Sequence, residues 1–151
     1  MNNKRVIEIQ AHLLEEIHTH GEKTYPNEGT GLLLGTVENE KTHVSAIKPL
    51  NNSREDSARH NRYLITPQDM LLAEHEAMRL GLDVVGVFHS HPDHPNRPSE
   101  FDRYWALPWY SYLITSVKGG KEAGSRSWQL AEDRSTFHEE HLVLVPTAER
   151  V

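Results

Sequence analysis

A sheet flanked by helices, α/β or α+β in class, is the fold predicted for this 151-residue chain. Three observations lead there. Short apolar runs bounded by glycine or turn residues alternate with amphipathic stretches of helical period. Helix starts are spelled out by capping chemistry, most clearly at Thr66-Pro67-Gln68-Asp69. No Pro/Gly/Ser-rich linker is long enough to divide the chain, so residues 1–151 read as a single domain.

Taken in order, Val6 to His20 reads as a helix, because Ile9, Leu13, Leu14 and Ile17 recur at spacings of three and four. Tyr25-Pro26-Asn27 breaks it. Gly31-Leu32-Leu33-Leu34-Gly35 reads as a buried strand, and Thr42 to Leu50 as its neighbour across the turn Glu38-Asn39-Glu40. Residues 51–61 are polar and irregular, a loop, and Tyr63-Leu64-Ile65 allows a short strand. A capped helix then runs from Pro67 to about Leu80, where Gly81 ends it. Asp83 to Phe88 is a buried strand leading into Val87-Phe88-His89-Ser90-His91-Pro92-Asp93-His94. Ser99 caps a helix reaching Leu107, and Pro108 stops it. Tyr110 to Val117 is a strand, Gly119 to Gly124 a turn, Arg126 to Ala131 the return strand, and Leu142 to Val145 a last strand. Trp105, Trp109, Tyr110 and Trp128 read as core or sheet-face residues.

Composition narrows the chemistry. There is no cysteine, so disulfides and thiolate metal sites are excluded, and any metal must be held by histidine and carboxylate. The net charge of −6 argues against general nucleic-acid binding, which needs Lys and Arg on phosphates. No apolar run reaches the ~18 residues of a membrane helix, and no signal peptide is evident at the start. No membrane partner and a cytoplasmic location are therefore expected.

Eleven histidines make the His-x-His pair weak evidence alone, since about one is expected by chance at that frequency. His18-Thr19-His20 is an internal control: residues two apart on a helix do not share a face, and both read as solvated. His89-Ser90-His91 follows a buried strand, where side chains two apart point to one side. Two imidazoles there can converge on one ion at ~2.0–2.1 Å. Asp102, eleven residues after His91, lies in the first turn of the next helix. It either caps that helix or supplies a third ligand, and its two oxygens permit both. Two histidines, one carboxylate and an open position would make a catalytic zinc site rather than a structural one. Asp93, His94, Glu100 and His60 read as solvated, although Asp93 and His94 are close enough in sequence to reach a substrate.

These residues together resemble a family signature. Glu28, then His89-x-His91 with Pro92, then Ser99 and Asp102, is similar to the JAMM (MPN+, JAB-type) zinc metalloproteases. Arg97-Pro98-Ser99-Glu100-Phe101-Asp102 resembles the prokaryotic branch, as do Pro108 to Ile114 and Arg126-Ser127-Trp128. The likeness spans about residues 6–131. It implies a cytidine-deaminase-like, curved mixed β-sheet flanked by helices. It also implies Zn²⁺ on His89, His91 and Asp102, Glu28 as general acid/base to a zinc-bound water, and Ser99 stabilising the oxyanion. Zinc of this kind can bring the pKa of its water from 15.7 to near 7. The implied substrate is the C-terminal Gly-Gly tail of a small ubiquitin-like or sulfur-carrier protein, with release of an amino acid such as cysteine as one form of the reaction. Such a tail can bind as an added strand at a sheet edge. Two rival readings share parts of the signature: a non-catalytic MPN interaction module, and a RadC-like DNA-associated protein. The full ligand set weighs against the first, and the −6 charge and Glu28 against the second.

Overall fold

The structure, a computed structural model, describes residues 5–50 and 65–146. Its elements are β1 (Val6–Gln10), α1 (Ala11–Thr24), β2 (Thr30–Glu38), β3 (Lys41–Leu50), α2 (Pro67–Arg79), β4 (Asp83–Pro92), α3 (Glu100–Trp105), β5 (Ser111–Lys118), β6 (Lys121–Leu130) and β7 (Phe137–Val145). The loop expected at 51–61, the strand expected at 63–65 and His60 lie wholly or mainly outside the described residues.

Strands and helices mix as expected, but the sheet is not an open curved one. It closes into a seven-stranded barrel in the order β1-β3-β2-β4-β5-β6-β7. Closure depends on Val6–Gln10, which is a strand running parallel to both β3 and β7, not the first turns of a helix. Ile7 and Ile9 alternate into the core with the period of two that a strand imposes. The helical spacing Ile9–Leu13–Ile17 runs unbroken across the strand–helix junction and hides that alternation in the sequence.

The barrel wraps around α1, which contacts β1, β3, β4, β5 and β6. Leu13, Leu14 and Ile17 pack there with Ile7, Ile9, Leu33, Phe88 and Leu113. On the opposite face of the sheet, α2 places Ala73 and Ala77 against Leu32, Leu34, Val87 and Tyr112. The run Leu32-Leu33-Leu34 is apolar throughout because β2 has a packed layer on each side. Gly31 fits beneath the Phe88 ring with no room for a Cβ, which draws β2 and β4 together next to the site described below.

Boundaries shift in physically readable ways. Asn39 and Glu40 both have positive φ (50° and 63°), the geometry of a two-residue hairpin turn. Gly119 and Gly120 do the same (55° and 86°), so the return strand begins at Lys121, not Arg126. The last strand starts at Phe137. The α2 start is a full capping box, with Thr66 Oγ1 accepting from Asp69 N at 3.0 Å and Asp69 Oδ2 accepting from Thr66 N at 3.2 Å. Trp105 and Trp109 are not core residues: they are 62% and 64% exposed, because α3 is only one and a half turns long and ends at the surface. No helix among the described residues is long and apolar enough to cross a membrane.

Glu140 on β7 ties the closing strands. Its carboxylate accepts from Ser127 Oγ at 2.7 Å and Ser111 Oγ at 3.1 Å. Burial raises its pKa, and the two hydroxyls and Arg5 offset this only in part. Above the pKa of an ordinary glutamate the unfolded chain has released a proton that the fold still favours, so stability falls as pH rises through that window. Glu140→Gln is expected to remove this dependence. The variant-minus-wild-type difference in Tm should increase from about pH 4 to about pH 7.

Candidate metal centre

The site is assembled where the start of β2 meets the end of β4. Thr30 pairs with His89 in the antiparallel ladder. The pairing continues one step beyond it: Ser90 N donates to Gly29 O at 2.9 Å, and Gly29 N donates to Ser90 Oγ at 2.8 Å. These two bonds set Glu28 beside His89 although sixty residues separate them. Because β4 stays extended through Pro92, His89 and His91 point to one side, with ring centroids 4.9 Å apart, while Ser90 faces α1.

The segment between β4 and α3 is held by named bonds. Asp93 adopts a positive φ of 58°, and its backbone N donates to Val117 O. Its carboxylate accepts from Tyr25 Oη at 2.7 Å and from Gly119 N at 2.9 Å. Ser116 Oγ donates to His94 O at 2.7 Å, and Trp128 Nε1 donates to Asn96 O at 3.0 Å. Asp93 is therefore a staple of the loop while remaining solvent-exposed, and Trp128 is half-buried as its anchor. The dipeptide Pro92-Asp93 is a turn signal that could have flagged this.

The loop delivers α3 with a second capping box. Ser99 Oγ accepts from Asp102 N at 3.0 Å, and Asp102 Oδ2 accepts from Ser99 N at 2.7 Å. Asp102 is also brought to both histidines: Oδ2 lies 3.2 Å from His91 Nε2 and Oδ1 lies 3.6 Å from His89 Nε2. The cap and the histidine contacts coexist on one carboxylate, with Oδ1 left for His89. His91 Nδ1 is engaged with Pro95 O at 2.8 Å, which fixes Nε2 as its inward nitrogen. Glu28 Oε1 lies 3.4 Å from His89 Nδ1. Glu28, His89 and Asp102 are all nearly inaccessible to solvent.

Burial pushes the Asp102 carboxyl up, but the charges of His89 and His91, the His91 hydrogen bond and the Ser99 N–H together hold it down at about 2. For His91, burial acts to lower the pKa, and Asp102, the Pro95 carbonyl and Glu28 more than reverse it, for a net rise. Among the described residues Asp102 forms ion pairs with imidazoles alone. Buried charges are paired or coordinate metals, and here the partners are the two imidazoles, themselves possible metal ligands.

The donor set fits a zinc ion. Ligand atoms around a four-coordinate zinc with bonds of ~2.0–2.1 Å lie ~3.3–3.5 Å apart, and the His–Asp separations of 3.2 and 3.6 Å are of that size. A second grouping is also present: one ligand atom each from Glu28, His89 and His91 lies within 4.8 Å of the others. All four residues therefore converge. Ser99 lines the cleft above them, with Glu28, His91, Pro92, His94, Pro95 and Arg97, around a volume of about 350 Å³. His94, taken from the sequence for a solvated residue, is part of that wall, and Arg97 was not singled out at all. Glu100 is solvent-exposed and bonds Arg103 at 2.6 Å.

His18 and His20 stand apart from this centre but are not solvated. His18 Nε2 lies 2.9 Å from Ser125 Oγ, and His20 packs edge-on to Phe88 at 5.9 Å. Burial lowers the pKa of both.

Comparison with known proteins agrees with this geometry. A family model described as prokaryotic homologs of the JAB domain matches residues 10–131. A Thermus thermophilus protein named as a probable TtuB-protein conjugate cleaving protease is 33% identical over 116 residues, 75% of this chain and 74% of the relative. The solution structure of DSY2949 from Desulfitobacterium hafniense superposes with a TM-score of 0.82 at 31% identity, covering 95% of both chains. The crystal structure of AF2198, a JAB1/MPN domain protein from Archaeoglobus fulgidus, gives a TM-score of 0.54 at 20% identity, over 92% of this chain and 96% of that one, a likeness of fold.

Proposed function

Because the chain belongs to the family of prokaryotic homologues of the JAB domain, we propose that it is a zinc-dependent peptidase. Its substrate is a small ubiquitin-like or sulfur-carrier protein, cut after the C-terminal Gly-Gly, with release of a single amino acid such as cysteine as one form of the reaction. We place this activity in a single domain acting in the cytoplasm. The observation that carries the reading is the convergence of His89, His91, Asp102 and Glu28 beneath one open cleft. The Thermus relative, named as a conjugate-cleaving protease, supports the substrate class.

In this reading His89 Nε2, His91 Nε2 and an Asp102 oxygen hold the metal. Zinc supplies Lewis acidity that activates water and polarises a carbonyl near neutral pH. Glu28 remains outside the ligand set and handles protons. Hydrolysis adds the water oxygen to the carbonyl carbon and breaks the C–N bond. Glu28 accepts the proton that the water gives up and passes it to the departing nitrogen. Pro95 O holds His91 in the tautomer that leaves Nε2 for the metal, a support typical of metal-bound histidine. Ser99 Oγ uses a lone pair for the α3 cap, so its O–H proton is available to the developing oxyanion. The barrel closes through short overlaps, so Ser45–Leu50 of β3 and Lys121–Arg126 of β6 pair on one side only and leave edges where an extended tail could add as a strand.

Mass spectrometry tests the reading directly. The zinc-loaded protein is mixed with a ubiquitin-like carrier extended past Gly-Gly. The expected product is the carrier ending at Gly-Gly. Chelation should stop the reaction and added zinc should restore it. An intact carrier after prolonged incubation with zinc-loaded protein, or a protein that takes up no zinc on titration, would refute the assignment.

A further inference from the structure

Along one face of β4 three side chains follow one another at a spacing of two: Val87, His89 and His91. Val87 lines an apolar cavity of about 300 Å³ between α2 and α3, together with Met70, Phe101, Trp105 and Tyr112. His89 lies at the candidate metal centre, and His91 opens into a cleft that His94 and Arg97 also line. A substrate crossing the centre therefore has a cavity without charged side chains on one side and a cleft that carries a guanidinium on the other.

Arg97 is exposed and makes no hydrogen bond or ion pair with a described residue. The nearest acidic residue in sequence, Glu100, is already committed to Arg103 through two bonds, at 2.6 and 3.2 Å. His94 uses its backbone for Ser116 and His91 and keeps its ring in the cleft. An uncommitted guanidinium in a chain of net charge −6, beside a buried acidic centre, is a prepared anion site. Its fork of donors suits a carboxylate in bidentate geometry.

We infer that Arg97 is a specificity-determining residue that binds the α-carboxylate of a single amino acid following the scissile bond. The argument rests on the peptidase reading above and names its substrate class. The two glycines on the acyl side carry no charge. A one-residue extension has one obligatory charge near the bond to be cut, its own terminal carboxylate. That charge fits the Arg97 cleft and does not fit the apolar cavity. Among linear extensions of a Gly-Gly tail, the preferred substrate is therefore a one-residue extension with a free carboxylate.

The test compares a carrier ending Gly-Gly-Ala as the free acid with the same carrier ending as the C-terminal amide, each with wild type and with Arg97→Gln. The expected wild-type preference for the acid is roughly 10- to 100-fold in kcat/KM, expressed mainly in KM, the range of a charge-assisted hydrogen bond. In Arg97→Gln the acid-to-amide ratio should fall to about one, and Arg97→Lys, which keeps charge without the fork, should retain part of it. Equal cleavage of acid and amide by wild type, or a preference that persists in Arg97→Gln, overturns the inference and leaves the peptidase reading standing. Cleavage of neither carrier by zinc-loaded wild type removes that reading and the inference with it.

Discussion

Glu28→Gln is expected to reduce hydrolysis about 10²- to 10⁴-fold while the protein still folds and binds zinc. The change replaces one carboxylate oxygen by an amide and nearly preserves volume, so the site should not collapse. What is lost is the capacity to accept a proton. Glu28 is 3% exposed and is held in place through its neighbour, by the Gly29–Ser90 bonds, so its position depends on backbone that the substitution leaves alone. Besides ligation of a metal with His89 and His91, two further roles are open to its carboxylate from geometry. It lies 3.4 Å from His89 Nδ1, where it could serve only to orient that ring, and it also lines the cleft, where a proton acceptor is needed. The variant separates them. An orienting carboxylate should cost ~10- to 100-fold in metal affinity when removed. A proton-transfer group should leave zinc content unchanged and lower kcat. Zinc stoichiometry measured beside kcat on the same preparation decides between these outcomes, and normal cleavage by the variant would exclude Glu28 as the base.

The clustering of His89, His91 and Asp102 was legible in the sequence because it comes from local patterns. A strand period places His89 and His91 together, and a capping pattern places Asp102 in the first turn of α3. The attachment of Glu28 was legible only through family resemblance. Its physical cause is a strand pairing, Thr30 with His89 and Gly29 with Ser90, which no periodicity reveals. Helix α2 was predicted almost to the residue, since Thr66, Pro67 and Asp69 carry their own instructions. Strand β1 was missed because five residues of strand run into a helix with an apolar spacing common to both. Closure was missed with it, since β1 completes the ring. The loop residues went unread for a different reason. Asp93 and Trp128 bond backbone groups far away in sequence and Tyr25 bonds the Asp93 carboxylate, and a lone polar or aromatic residue does not announce such a partner. Arg97 is the converse case. Its significance lies in having no partner among the described residues, which becomes visible only after those residues have been placed.

Asp102→Asn is expected to abolish stoichiometric zinc binding and, with it, turnover, and to cost the apo protein the pairing with His89 and His91 while keeping the α3 cap. Asp102 does two things with one carboxylate: it accepts the Ser99 N–H that starts α3, and it faces both inward imidazole nitrogens. Asparagine can keep the first, because its carbonyl oxygen still accepts a hydrogen bond. It cannot keep the second, because it turns an N–H₂ group or a neutral oxygen toward a site that needs negative charge. Asp102→Ala removes both and should cost about 1 kcal/mol more stability than the asparagine variant, the typical worth of a helix cap. Thermal unfolding of the metal-free proteins measures the capping part, and zinc titration measures the ligand part. If the residue were only a cap, asparagine would bind zinc as wild type does. If it were only a ligand, alanine and asparagine would melt together. The expected pattern, loss of zinc in both and a further loss of apo stability in alanine, follows from a short helix whose first turn is simultaneously a wall of the candidate metal centre. Asp93, Ser116 and Trp128 anchor the preceding loop, so any freedom in residues 93–98 would be passed to Asp102 and from there to its contacts with His89 and His91.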